Sequence, residues 1–164
     1  MAMKIEAIHD KSAHLEVVKK LWRSHSNTLG FLPDGGFQDY ARDRHVVVAL
    51  DGADQCVGYL LYRVVRDRAA IAQFCIAPEC RRQGYARALI DWLISKTKKN
   101  RGILLTCCRH YTAARTWERL GFHAVSEKPS KAEGSTGRTR ASSTVWPVVR
   151  ASGLGGDEPG LGFR

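Results

Sequence analysis

A chain of 164 residues, 44% hydrophobic and 26% charged, has the size and composition of one globular domain, which excludes fibrous, wholly disordered and two-core arrangements. No window approaches the roughly 18 unbroken apolar residues a membrane span requires, and the start lacks the apolar stretch of a secretory signal, so a cytoplasmic protein without membrane contact is expected. The formal charge of +10 is uneven: residues 1–79 balance ten basic against ten acidic side chains, residues 80–126 hold ten against two, and residues 127–164 six against four, so an anionic ligand, nucleic acid or a phosphorylated cofactor, is expected at the middle of the chain.

Residues 4–8 alternate weakly and predict a short strand, followed by a helix over residues 13–24 whose Leu15, Val18 and Leu21 or Trp22 form one apolar stripe. Gly30, Pro33, Gly35 and Gly36 make residues 27–36 a loop, with a short helix over 37–42. The runs 45–50 and 56–64 are apolar and β-branched on either side of Asp51-Gly52, which predicts a hairpin. Residues 69–76 read as a strand ended by Pro78, and residues 84–98 as a helix burying Ala88, Leu89, Trp92 and Leu93. A strand over 102–107, a helix over 112–120 stopped by Gly121, and a strand beginning at 122–125 follow.

From residue 127 onward lie 7 of the 15 glycines and 3 of the 5 prolines, a texture that resists packing. Within it, residues 143–149 read as a final strand in which Pro147 is tolerated only at an edge or bulge. Residues 1–126 are thus expected to form the domain, residues 127–150 a loop and its last strand, and residues 151–164 a flexible Gly-rich tail. The five cysteines are an odd set without a CxxC pair, and read as reduced, mostly buried small hydrophobes rather than a disulfide or metal framework. The element order predicts an α/β (α+β) fold: a mixed, largely antiparallel sheet of six to seven strands with helices on both faces.

The chemistry concentrates in residues 73–90, where a strand, a short basic turn and a glycine at a helix start follow one another. Early helix amides lack intrahelical acceptors and the macrodipole adds positive charge, so an anion is favoured there. Gly84 allows close approach of a diphosphate, Ala86 does not obstruct it, and Arg81, Arg82 and Arg87 add charge-assisted bonds.

The spacing Arg81-x-x-Gly84-x-Ala86 resembles the acyl-CoA pyrophosphate signature of the GNAT superfamily of N-acetyltransferases. Ala113-Ala-Arg-Thr-Trp-Glu-Arg-Leu-Gly-Phe122 resembles the second segment of that family, a helix closing in Leu120-Gly121-Phe122 and leading to a strand. The resemblance covers roughly residues 3–125 by element order, while only residues 73–88 and 113–122 are specific. It implies a splayed strand pair holding acetyl-CoA as co-substrate, without a metal. Phe74, Cys75 and Ile76 would meet the pantetheine arm, and Arg81, Arg82, Gln83, Gly84, Tyr85, Ala86 and Arg87 the phosphates, with His110 and Trp117 alongside the coenzyme. Direct attack by a primary amine on the acyl carbon is implied, with no covalent enzyme intermediate. Trp117 occupies the place where relatives often carry a tyrosine acid; an indole N–H cannot fill that role, and a core aromatic is its other reading. His110 stands where relatives often have asparagine and is a candidate to relay a proton, with Glu79 and Gln73 as further candidates for the base or its water.

An acceptor cleft is expected in the N-terminal part, with His25, Phe31, Asp34, Asp39 and Tyr40 as candidate lining residues. The acceptor amine would be on a protein, an aminoacyl group or a small metabolite. Two further readings are a toxin-like acetyltransferase acting on aminoacyl-tRNA and a non-catalytic acyl-CoA-binding regulatory domain. Nucleic acid is permitted but not required by Lys96, Lys98, Lys99 and Arg101, and the chain is expected as a monomer or homodimer.

Overall fold

The computed structural model describes residues 2–29, 32–97, 99, 102–108, 113–124, 128–129 and 144–150. Its elements are β1 (Lys4–Ile8), α1 (His14–Ser24), α2 (Ser26–Leu29), α3 (Asp34–Arg42), β2 (Val46–Leu50), β3 (Cys56–Val65), β4 (Arg68–Ile76), a 3-10 turn at Pro78–Cys80, α4 (Tyr85–Lys96), β5 (Gly102–Cys108), α5 (Ala113–Arg119), β6 (His123–Ala124), β7 (Lys128–Pro129) and β8 (Thr144–Arg150).

β2 shows why the sheet is sandwiched. All five of its residues are buried, and an unbroken apolar run of this kind needs cover on both faces even in an antiparallel setting. Val47 and Ala49 join one core with Leu60, Tyr85, Leu89, Ile90 and Leu93, under α4 and α5. Val46, Val48 and Leu50 join the other with Leu15, Val18, Phe37, Ala41 and Tyr59, under α1 and α3. The sheet runs β1-β2-β3-β4-β5-β8-β6, and β7 also pairs with β8. Every neighbouring pair is antiparallel except β4 and β5. Among the described residues the sheet has eight strands rather than six or seven; the additional one is the two-residue β7.

Three local expectations are corrected. Residues 27–36 are not one loop: α2 covers Ser26–Leu29 and α3 begins at Asp34, running through Gly35 and Gly36. Burial of Phe37 and Ala41 outweighs the poor helix propensity of the two glycines, and a Cβ on Gly36 would collide with Leu32 Cδ1 at 2.7 Å. The inner face of α4 is Tyr85, Leu89, Ile90 and Leu93; Ala88 and Trp92 are only half-buried. β8 is not an edge strand, since β5 lies on one side of it and the short β6 and β7 on the other. Its outer ladder pairs Val148 and Val149 with β6, and Thr144 and Val145 with β7. Pro147, which has no N–H to give, falls where those two short strands leave off.

Candidate functional site

The site begins with a defect in β4. Leu61 pairs with Gln73 and Tyr62 with Ile71, so Ala72 is an extra residue on that strand. A bulge sharpens local twist and bends the strand that carries it. On the other side of β4, the parallel ladder with β5 runs from Arg68–Gly102 to Ile71–Leu105 and ends there, while β5 continues along β8 as far as Cys108. The two strands therefore part at the bulge. Residues 73–76 remain paired with β3 and turn their other edge toward the opening, which is the splayed pair expected of this fold.

The bulge also resets which way side chains face. Ala69, Ile71, Phe74 and Ile76 all face α4 and α5, whereas Cys75 joins the core beneath α1 and α3, and Gln73 bonds to Tyr59 of that same core. Phe74 lies against Trp117 with ring centroids 4.9 Å apart, and Trp117 meets Phe122 edge-on at 5.2 Å. Trp117 is buried and anchors α5 to β4.

The basic turn follows at once. Arg81 Nε donates to the Ile76 carbonyl at 3.2 Å, and Gln83 Nε2 to the Glu79 carbonyl at 3.3 Å. Arg82 has φ 63° and Gly84 φ 90°, so the chain twice enters the left-handed region before α4 starts. Gly84 is the N-cap and offers no side-chain cap, so the amides of Tyr85, Ala86 and Arg87 begin the helix without intrahelical acceptors. A Cβ at Gly84 would meet only Met3 Cε, at 3.8 Å, so the space beside Gly84 is open. Tyr85 brings its amide alone, because its ring is buried in the α4 stripe. Arg82 and Gln83 are exposed, while Arg87 donates from a terminal nitrogen to the Arg119 carbonyl at 2.9 Å, tying α4 to the end of α5.

On the opposite face of β4 the groups are polar. Tyr59 Oη donates to Gln73 Oε1 at 2.9 Å, and both side chains are buried. Burial pushes the Tyr59 phenol far above its ordinary range, so it remains a neutral donor. Burial also raises the Cys75 thiol, with the positive charge of Arg81 opposing. Cys75 Sγ lies 3.9 Å from His25 Nδ1, which in turn sits 3.0 Å from the Leu21 carbonyl.

The structure thus brings together Gln73, Phe74, Cys75, Ile76 and the 81–87 turn along one strand and helix start. Glu79 is exposed in the intervening turn. His110 and Phe31 lie outside the described residues. Of the proposed cleft residues, Asp39 pairs with Arg42 at 3.0 Å and Asp34 with Arg23 at 4.0 Å, all well exposed, and Tyr40 packs from α3 against the core that α1 and α3 cover; among those described, His25 is the one shown in contact with a β4 side chain. Sequence reasoning missed Tyr59 as partner to Gln73, because a contact between residues 14 apart on neighbouring strands leaves no local signal. It also missed Lys19, buried on α1 beside Glu16. Among the described residues, no group of three or more His, Cys, Asp or Glu could hold a metal, and no helix is long and apolar enough to cross a membrane.

A family model described as acetyltransferase (GNAT) domain matches residues 33–137. Among solved structures, Ard1 from Thermoplasma volcanium superposes with a TM-score of 0.75 at 19% identity, over 94% of this chain and 100% of that one. NAA60 from Arabidopsis thaliana in complex with a bisubstrate analogue gives 0.74 at 16%, over 92% and 98%. The ribosomal-protein-S18-alanine N-acetyltransferase from Escherichia coli gives 0.69 at 16%, over 98% and 100%. No curated protein matches by sequence.

Proposed function

The chain belongs to the GNAT acetyltransferase family, and from that premise we propose that it transfers acetyl from acetyl-CoA to a primary amine on a protein, an aminoacyl group or a small molecule. The observation that carries this reading is the parting of β4 from β5 at Ile71–Leu105, immediately before a glycine-capped helix start. The open space over Gly84 and the uncapped amides of α4 fit a diphosphate, and the main-chain edge of residues 73–76 fits an extended amide-bearing arm. When bound, the coenzyme supplies an activated acyl thioester.

In this assignment Arg82 and Gln83 meet phosphate directly. Arg81 holds the turn through the Ile76 carbonyl, and Arg87 fixes α5. Main-chain N–H groups of β4 facing the opening stabilise charge developing on the carbonyl oxygen, a preorganised contribution that needs no special side chain. The alanine of ribosomal protein S18 named for the Escherichia coli neighbour supports an amine borne on a protein. A second reading, an acyl-CoA-binding regulatory domain, is favoured by one feature: Trp117 is buried between Phe74 and Phe122 and supplies no acid.

Calorimetry with acetyl-CoA, followed by CoA release across a panel of amines, tests both readings. Gly84→Ala forces a side chain into φ 90° at an open site. Acetyl-CoA affinity should fall at least about tenfold, or ~1.4 kcal/mol, with the fold intact. Unchanged affinity in this variant removes the phosphate site. Tight acetyl-CoA binding without turnover on any amine selects the regulatory reading.

A further inference from the structure

Resting on the transferase reading, we infer that Gln73 selects the acceptor. Its side-chain NH2 donates to the carbonyl next to the reacting amine, so the chain prefers the α-amine of a polypeptide to the ε-amine of a lysine. Gln73 is the first residue of β4 past the bulge, where the ladder with β5 has ended. Its side chain is 7% exposed and makes one hydrogen bond among the described residues, with Tyr59 Oη at 2.9 Å. Tyr59 is wholly buried, and Gln73 is the one side chain among the described residues that its hydroxyl bonds. The phenol proton needs an acceptor, so Oε1 is the end of the carboxamide turned toward it, and both N–H bonds of Nε2 lack a partner among the described residues. A buried donor in that state is costly and calls for an explanation. A ligand carbonyl supplies one.

The two faces of β4 decide from which side an acceptor reaches a thioester laid along residues 73–76. On the α4–α5 side Phe74, Trp117 and Phe122 pack ring against ring, and Trp117 and Phe122 are buried. That packing closes the route from there. Gln73 lies on the other side, bonded to a member of the core under α1 and α3, and Ala72 immediately before it is exposed. A carboxamide nitrogen is not basic, so Gln73 serves this route by donating rather than by taking a proton. In a polypeptide N-terminus an amide carbonyl stands one carbon away from the amine; in lysine it stands at the far end of the stem. A buried donor whose direction is fixed rejects an acceptor that lacks the matching group, because binding would leave it unpaired. Tyr59 is then a positioning residue, since it holds Oε1 and so keeps the NH2 in one direction.

The test uses the full chain, acetyl-CoA and two peptides of one sequence, one with only its α-amine free and the other with only a lysine ε-amine free. The parent should favour the α-amine peptide in kcat/KM. Gln73→Met keeps the bulk and removes both donors, and should lower that preference at least about tenfold. Tyr59→Phe keeps the NH2 but releases the carboxamide, and should lower the same preference by a smaller factor, through KM more than kcat. A parent that favours the lysine peptide, or a preference that Gln73→Met leaves unchanged, overturns the assignment. A third peptide carries a thiocarbonyl in place of its first carbonyl and reads the bond in the parent itself, whatever the variants do to folding. As the weaker acceptor it should be a poorer substrate by at least about threefold; a parent that treats the two peptides alike also overturns the assignment. A parent that binds acetyl-CoA but turns over no amine defeats the transferase reading instead, so the two failures are told apart.

Discussion

On the α4–α5 side of β4, Phe74 lies 4.9 Å from Trp117, which meets Phe122 at 5.2 Å; on the α1–α3 side, Gln73 and Cys75 meet Tyr59 and His25 through polar contacts. A single extra residue at position 72 separates these roles, because the bulge changes the parity by which side chains alternate. The aromatic side holds the strand in place by packing. The polar side carries groups joined by hydrogen bonds and polar contacts. The comparison teaches that the opening between β4 and β5 is a backbone feature held by ring packing on one face and by polar contacts on the other, so the two faces should fail in different ways when altered.

Trp117→Ala gives the largest expected effect. Removing a buried indole from between two rings should cost about 3–5 kcal/mol and loosen α5 from β4, which urea denaturation measures directly. A loss below ~1 kcal/mol would mean that α5 is held by other contacts and that the aromatic face is not the support described.

A smaller effect is expected from Gly58→Ala on β3, which reaches the same strand from behind. A Cβ there would come within 2.5 Å of Ile76 Cδ1 and 2.9 Å of the Cys75 carbonyl oxygen. The side chain can rotate aside; the carbonyl belongs to the sheet and cannot. Overpacking of this kind costs about 1–3 kcal/mol. It should also weaken acetyl-CoA binding, because the displaced carbonyl is in the stretch assigned to the coenzyme arm. Lost stability with unaltered acetyl-CoA affinity would detach residues 75–76 from the cofactor site.

These two faces were not equally legible in the sequence. The turn at residues 81–84 was readable because it is local: a glycine at a helix start, basic neighbours and a preceding strand lie within a dozen residues. β2 declared itself by an unbroken apolar run and β3 by a largely apolar one. Nothing in the sequence marks Ala72 as a bulge, because that depends on the register with β3, and the parting of β4 from β5 was expected only through the family resemblance. The contact between His25 and Cys75 joins positions 50 apart in the chain, set by how α1 docks rather than by any motif. The helix through Gly35 and Gly36 was misread for the same reason, since burial of Phe37 and Ala41 overrode local propensity.

The smallest effect concerns the polar face under alkaline conditions. Burial pushes the Cys56 thiol from its ordinary value near 9 up to about 11, with a hydrogen bond to the backbone of Gly58 pulling the other way. Unfolded chains release this proton near pH 9 and folded ones retain it to about pH 11, so across that window the unfolded state binds fewer protons and stability falls as pH rises. The contribution is intact below pH 9 and lost by about pH 11. Because Cys56 is partly exposed, the loss should stay below about 2 kcal/mol. Cys75 is raised too and Tyr59 adds its own alkaline loss, so the parent slope should steepen with pH. Cys56→Ala removes one thiol from this sum and should flatten the fall in urea midpoint between pH 9 and 11 without abolishing it. If the two proteins lose stability in parallel, Cys56 is solvated in the folded state, and the polar face of β4 is wetter than its packing against α1 and α3 implies.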